Sequence, residues 1–345
     1  MTSEKAKKYC EERLLLHQLI LTYPQLIIAV RAVQKYDECR FVWNYLFSPE
    51  RIRQIFVYVW ARFISGVAGM ASAQVPAVLV NKYLGPQYNA AMTIGNSVAT
   101  HALTLSSSLS TALWPAVANK AGEGDEAGVK RLSFMACRLS ALLIMVFAIP
   151  LALEVKEILR IWLVNPPSYS AEICIAVLIR EVIDKSTDGY WMAILGLGRG
   201  VVKYSWSVCW AGFGYVVCAW ILFALGKGMA SVCFGLIIYA LLISASRLYI
   251  GRTLVAFPIR HWLRHVCLPL WGVSAVTLVG GKAVACLFDP SIQRIFITGF
   301  VCELIFVPAS WFLIMGESER NMMREKLGKI LPATVAQRFN KNKRV

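Results

Sequence analysis

Five ionisable side chains share one stretch of an otherwise hydrophobic chain. The stretch is "LIREVIDKSTDGYW", residues 178–191, and its charged residues are Arg180, Glu181, Asp184, Lys185 and Asp188. On an α-helix, which turns by about 100° per residue, all five fall on one face. The two cations there could bind a phosphate headgroup. Asp188 or Glu181 could titrate and so couple the movement of an ion.

A structural role for the same charges is equally open. Arg180 with Asp184, and Glu181 with Lys185, have the i, i+4 spacing of helical ion pairs, whereas Asp188 has no such partner. The charged face could pair with a neighbouring helix, or the segment could re-enter the membrane without crossing it. Contact with lipid is excluded, because five charges at the bilayer centre cost about 13 to 17 kcal/mol on insertion scales.

A stripe of polar side chains follows one side of the segment "NAAMTIGNSVATHALTLSSSLSTALWP", which begins at Asn89. At three- or four-residue intervals it carries Thr93, Asn96, Thr100, Thr104, Ser107 and Thr111, with Asn89 on the same line and Ser97, His101 and Ser108 beside it. Hydroxyls at this spacing could pack against another membrane helix. Alternatively, they line a hydrated cavity, where hydroxyl and amide groups can bind sugars.

Two isolated arginines lie inside other apolar segments. Arg62 and Arg138 each lie about 10 Å from the end of a predicted span, at the same side of the membrane. If both face inward, they form a cationic mouth suited to a phosphate group. They are also candidate partners for the acidic residues of the charged face.

The elements that position these residues are predicted to be membrane helices. The chain of 345 residues is 57% hydrophobic and 16% charged, whereas soluble domains average about 45 to 50% and 25%. Apolar runs of the required length predict an all-α polytopic protein with about nine spans: Leu14–Val30, Ile55–Val80, Ala90–Ala118, Leu132–Leu153, Ala171–Leu195, Ser205–Leu225, Met229–Ile250, Val266–Phe288 and Ile295–Met315.

The net charge of +16 is distributed unevenly between the two sides of these spans. Loops after spans one, three, five and seven, with the tail after span nine, carry 22 Lys and Arg residues against six on the other side. The positive-inside rule therefore predicts a cytoplasmic C-terminus and accounts for the charge without nucleic acid. The basic residues before span one break the alternation, which suggests that an N-terminal membrane lobe is missing.

Signatures of enzymes and of cofactor sites are weak. The segment "GLGRG" at residues 196–200 lacks the Lys-Ser/Thr of a phosphate-binding loop, and no GxSxG or HExxH motif occurs. His261 and His265 have helical spacing but no third metal ligand nearby, and they suit a basic segment at the membrane surface. The chain is therefore predicted to have no enzymatic activity, no metal and no cofactor.

The order of several short motifs resembles that of bacterial polysaccharide flippases, the O-antigen transporters of the multidrug/oligosaccharidyl-lipid/polysaccharide exporter superfamily. The matching residues are Gly85, Pro86, Asn89, Ala90, Ala91, Pro115, Gly124, Asp125, Trp162 and Leu163, followed by "LGLGRGVVKYSW" with Arg199 in place of a Lys. The match covers about 120 residues. Met92 and Thr93 replace an Arg-Gly that is common in the family, so a cation near the outer mouth is missing.

The resemblance implies a protein of the bacterial inner membrane. It implies the C-terminal lobe of a two-lobe bundle that moves a polyprenyl-pyrophosphate-linked oligosaccharide across the membrane by alternating access, with membrane lipid around it. Arg62, Asn89, Asn96, Thr100, His101, Thr104 and Arg138 would line the substrate path together with the five charges of residues 180–188. The oligomeric state is not implied.

The predicted organisation has four parts. These are a basic N-terminal region with one weak span (1–50), a six-helix lobe (51–265), two additional helices (266–316) and a basic tail (317–345). Two other functions stay open. A cation-coupled multidrug antiporter of the same superfamily would share the architecture, and a membrane glycan polymerase or ligase would need a larger outer loop.

Overall fold

The computed structural model is all-helical in the part of the chain that it describes, which comprises residues 24, 27, 30, 31, 48–163, 165–317 and 319–321. The helices are α1 (Pro49–Tyr83), α2 (Pro86–Gly122), α3 (Glu126–Leu163), α4 (Ser170–Ser186), α5 (Asp188–Gly196), α6 (Val201–Ala224), α7 (Ala230–Leu254), α8 (Ile259–Trp262), α9 (Leu268–Leu287) and α10 (Ile292–Leu313), with a π-helical turn, Leu263–Cys267, between α8 and α9. Most of predicted span one and of the basic tail lies outside the described residues.

Six helical segments are long and apolar enough to cross a membrane, so the chain is a polytopic helical membrane protein. They are α1, α3, α6, α7, the continuous segment Ile259–Leu287 and α10. Helix α2 is not among them, although it has 37 residues, because its polar stripe lowers its hydropathy. Helices α4 and α5 have 17 and nine residues, and each is too short because the backbone breaks between them. The two segments that carry the candidate site are therefore not among the six that can cross a membrane by length and apolarity.

The chain divides into two compact units, Met1–Val57 and Tyr58–Val345. In the second unit, α4 occupies the interior and packs against α2, α3 and α7. Helices α9 and α10 form a pair that packs on α3, and α6 pairs with α7. The predicted boundaries at residues 50/51 and 265/266 remain predictions.

Small residues allow α5 to approach α3 closely. A side chain at Gly189 would collide with the carbonyl oxygen of Ser133 and with the sulfur of Cys137. Beside this contact, the ring of Tyr190 is fully buried, and its edge faces Phe134. The position of the charged segment is thus determined by backbone-to-backbone packing as well as by charge.

The loops gather at two ends of the bundle. At one end, which we call the basic end, the loops after α5 and α7 both contact the first part of α3, which follows the loop after α2. The contacts are the Arg199–Glu126 ion pair (2.7 Å) and the Phe134–Phe257 ring pair (4.8 Å between centroids). At the opposite end, Tyr88 at the start of α2 packs on Tyr169 before α4. This arrangement matches the predicted alternation of the described loops.

Asp125 caps the first turn of α3 at the basic end. Its Oδ1 atom accepts the backbone N–H of Gly128 at 2.8 Å. This hydrogen bond, together with Lys120 nearby, holds the pKa of the Asp125 carboxyl below its usual value. Because the pKa is lowered on folding, the stabilisation is present above the unfolded pKa of about 3.9 and is lost as the pH falls through the lowered value.

A buried ion pair joins α3 to α10 nearer the opposite end. Nη2 of Arg294 lies 2.8 Å from Oε2 of Glu154, and the hydroxyl of Thr298 donates to the other carboxylate oxygen at 2.9 Å. The Glu154 side chain is fully buried. Because every oxygen of this carboxylate has a partner, the charge can be accommodated between two apolar helices.

Candidate functional site

The five charges lie on two helices instead of one. The sequence predicts a single span, Ala171–Leu195, but α4 ends at Ser186 and α5 begins at Asp188. In a continuous helix the carbonyl of Asp184 would accept the N–H of Asp188; here it accepts from the guanidinium of Arg247 at 3.0 Å. The backbone N–H of Thr187 also binds this carbonyl, at 3.2 Å. The break therefore has identifiable partners.

The ion pairs differ from those that i, i+4 spacing predicts. Arg180 pairs with its chain neighbour Glu181, and Lys185 pairs with Asp188, with 3.5 Å between Nζ and Oδ2. Asp184, expected to pair with Arg180, instead pairs with a residue of another helix. The predicted i, i+4 pairing is thus wrong. All four residues lie on the unbroken part of α4, but Arg247 competes for Asp184, and Glu181 and Lys185 each have a different partner.

That cation is Arg247 of α7, which lies within predicted span seven and was not predicted as a site residue. Its Nη1 atom lies 3.0 Å from Oδ1 of Asp184, and only 8% of its side chain is exposed. It also donates to the hydroxyls of Thr187 (3.2 Å) and Tyr204 (3.2 Å). The signal in the sequence was its position inside the apolar run 229–250, about 10 Å before the end of α7 and beside Ser244.

Asp188 lies in a separate polar cluster between α2, α3 and α5. The hydroxyl of Ser110 donates to Oδ2 of Asp188 at 2.5 Å, and the hydroxyl oxygens of Ser110 and Ser140 are 3.2 Å apart. With Lys185 on the same carboxylate oxygen, the cluster holds one buried negative charge between one cation and two hydroxyls. Such a carboxylate can bind or release a cation if the surrounding helices move.

Three members of the charged face remain partly accessible. The side chains of Arg180 and Asp184 are each 29% exposed, and that of Lys185 is 12% exposed, while Glu181 and Asp188 are buried. A charged side chain on a membrane helix is costly in contact with lipid. When such a side chain is only partly buried, it requires water or a polar ligand next to it. The accessible part of the face therefore carries two cations and one carboxylate, with Arg180 and Lys185 available to an anion.

The polar stripe of α2 is exposed in the described part of the chain. Asn96, Thr100, His101 and Thr104 are all exposed, and Asn89 is half-buried. The packed face of the helix is a different one, formed by Ala91, Met92, Gly95, Ala99, Ala102, Ser106, Ser110 and Val117. Packing between helices of the described chain thus uses small residues on the other side and does not explain the stripe.

The hydroxyl groups of the stripe donate hydrogen bonds to backbone carbonyls of the same helix, four residues earlier. Thr100 donates to the carbonyl of Asn96 at 2.8 Å and Thr104 to that of Thr100 at 3.1 Å. The same pattern holds for Thr93, Ser97, Ser108 and Thr111. Because the donors are used, each hydroxyl presents its oxygen outward as an acceptor. A row of acceptors along a helix suits a ligand rich in hydroxyl groups.

The two isolated arginines have different environments. Nη2 of Arg138 lies 2.5 Å from Oε1 of Glu319, whose other oxygen accepts the N–H of Gly316 at 2.9 Å. Arg62 is exposed on α1. Among the described residues neither arginine forms an ion pair with the charged face. Arg138 is therefore neutralised by the segment after α10, and the cationic mouth remains a prediction that now depends on Arg62 and on opening of the Arg138–Glu319 pair.

The described residues contain no group of three or more His, Cys, Asp or Glu side chains arranged to hold a metal ion. Comparisons of the chain with protein-family models, with curated proteins and with solved structures found no match.

Proposed function

We propose that the chain moves a polyprenyl-pyrophosphate-linked oligosaccharide across the bacterial inner membrane by alternating access. In this proposal the chain forms the C-terminal lobe of a two-lobe bundle, has about nine spans, and has its C-terminus in the cytoplasm. The observation that carries the proposal is the exposed stripe of α2. A row of hydroxyl and amide groups along a membrane helix, turned away from its own bundle, is suited to a hydrated path and poorly suited to lipid.

The physical requirement for such a transporter is well defined. Sugars and pyrophosphate cannot cross about 30 Å of hydrocarbon unless protein groups replace their water. The outward oxygens of Thr100 and Thr104 can accept hydrogen bonds from sugar hydroxyls, and Asn96 can both donate and accept. The lipid tail can stay in the bilayer, in contact with the apolar outer faces of the bundle.

The charged face supplies groups for the other end of the substrate. Arg180 and Lys185 are partly accessible, and α4 packs directly against α2. A guanidinium binds phosphate oxygens with two parallel hydrogen bonds, and an ammonium adds a point charge. The pyrophosphate would bind these cations while the sugars contact the stripe.

Transport of a fluorescent lipid-linked oligosaccharide into proteoliposomes tests this proposal. We expect the double substitution Asn96→Leu with Thr100→Val to reduce the rate about tenfold or more, since each lost hydrogen bond costs about 1 kcal/mol. The matched control, Thr100→Ser, keeps the hydroxyl and should retain most of the rate. A normal rate in the apolar double variant would contradict the proposal.

The antiporter of the same superfamily remains the second candidate because of Asp188. A buried carboxylate between Ser110 and Lys185 could couple cation movement to the export of a drug as well as to the transport of an oligosaccharide. Drug-resistance assays separate the two functions. An antiporter would protect cells from cationic drugs without any dependence on lipid-linked oligosaccharide.

A further inference from the structure

Four cationic or titratable side chains form one exposed strip on α8 and the π-helical turn. The strip consists of Arg260, His261, Arg264 and His265, all of them exposed, and the rings of the two histidines are tilted by 39° to each other with 4.3 Å between their centroids. The opposite side of the same segment is buried through Trp262 and Val266. The segment is therefore amphipathic, with its charge turned away from the bundle.

The strip has no acidic partner among the described residues. The sequence contains no Asp or Glu between Arg247 and Asp289, and no ion pair of the described chain includes Arg260 or Arg264. Two other cations at the basic end are matched locally, Arg199 by Glu126 and Lys120 by Glu123. The strip therefore combines two unmatched arginines one helical turn apart with two exposed histidines.

The neighbouring side chains place the strip at a membrane surface. Leu263 is 44% exposed and Leu268 is 62% exposed, and α9 continues from the strip as part of an apolar segment that can cross the membrane. A helix with exposed leucines beside exposed arginines lies where acyl chains meet headgroups. Juxtamembrane cations there attract anionic lipid.

We propose that the strip binds the phosphate group of an anionic phospholipid in the leaflet at the basic end. Arg260 and Arg264 lie one helical turn apart and can clamp a single phosphate, with the histidine pair beside it. The π-helical turn falls within the strip, and such turns occur frequently at functional sites. This lipid is a resident partner, distinct from any transported substrate, and the inference does not depend on the proposed function.

The bound lipid is coupled to the charged segment through Trp262. The indole N–H of Trp262 donates to the carbonyl of Ser186 at 2.8 Å, at the last residue of α4. Its ring also meets the edge of Tyr190 on α5. Binding of lipid to the strip therefore stabilises the segment that holds the break between α4 and α5, and it should raise the unfolding temperature of the protein.

The test uses the full chain in neutral detergent, titrated with dioleoyl phosphatidylglycerol or dioleoyl phosphatidylcholine. Native mass spectrometry measures bound lipid, and a thermal scan measures unfolding. We expect Arg260→Gln with Arg264→Gln to weaken phosphatidylglycerol binding roughly 30-fold, since each arginine near an anionic surface contributes about fivefold, and to leave phosphatidylcholine binding unchanged. If the double variant does not fold, Arg264→Gln alone should weaken binding about fivefold.

Two controls make the result specific. Arg131→Gln removes an exposed charge from α3 at the same end, near Asp125, and should leave phosphatidylglycerol binding unchanged. Trp262→Phe should keep the binding but lose the lipid-dependent rise in unfolding temperature. Equal affinity of the wild-type chain for the two lipids, undiminished phosphatidylglycerol binding in the arginine variants, or the same thermal shift with inorganic phosphate alone would each overturn the proposal.

Discussion

Arg247→Ala is expected to lower the free energy of unfolding by about 3 kcal/mol, because removing one partner of a buried ion pair leaves the other charge without compensation. The substitution removes the ion pair to Asp184 at 3.0 Å and the hydrogen bonds to Thr187 and Tyr204. It also frees the carbonyl that Arg247 binds at the helix break. Equilibrium unfolding in mixed detergent micelles measures the change.

Two comparisons isolate this effect. Arg252→Ala removes an exposed arginine from the last turn of the same helix and should change stability by no more than about 0.5 kcal/mol. Arg247→Lys keeps the charge but cannot reproduce the planar fork of hydrogen-bond donors. Its loss of stability should therefore lie between those of Arg247→Ala and Arg252→Ala. Equal stability of the Arg247→Ala and Arg252→Ala proteins would show that the cluster does not hold the break.

Asp188→Asn is expected to reduce transport about tenfold or more while the protein still inserts and folds. An asparagine oxygen can still accept the hydroxyl of Ser110, so the hydrogen bond that packs α5 on α2 is preserved. The negative charge that faces Lys185 is lost, and interactions with charged groups are worth about 1.5 to 3 kcal/mol. The transport rate in proteoliposomes, normalised to folded protein, measures the effect.

The matched control is Glu123→Gln, which makes the same chemical change on an exposed residue beside Lys120. It should leave transport unaltered. Transport by Asp188→Asn protein at the wild-type rate would remove Asp188 from the mechanism and leave it a packing role. A parallel loss in folding would assign the effect to stability.

Composition and hydropathy were sufficient to identify the described chain as a polytopic helical membrane protein, although only six of its helical segments are long and apolar enough to cross a membrane. Each of predicted spans two to nine overlaps a helix, because a membrane helix needs only length and apolarity, which single residues seldom alter. The exposed stripe of α2 was also predictable, since residues three and four apart share a helix face. Asn96, Thr100 and Thr104 share one exposed face, as their spacing indicates.

The partners of the charged face were not predictable from spacing. The pairing of Asp184 with Arg247 joins residues 63 positions apart, and local periodicity carries no information about such contacts. The partner of the Asp184 carbonyl at the break is equally distant in sequence, and the approach of Gly189 to the Ser133 carbonyl is a property of packing. The ion pair of Arg138 with Glu319 was not predictable either, because Glu319 lies far along the chain in a region predicted to be a tail.

The proposed function requires the stripe of α2 to border water instead of lipid. In a background from which the ten native cysteines have been replaced, Thr100→Cys and Val276→Cys are labelled in intact membranes with a membrane-impermeant maleimide. Val276 is an exposed apolar residue within α9 and serves as the lipid-facing control. Because the reactive thiolate forms only in contact with water, we predict rapid labelling at position 100 and almost none at position 276. Equal, slow labelling at both positions would contradict a hydrated path along α2.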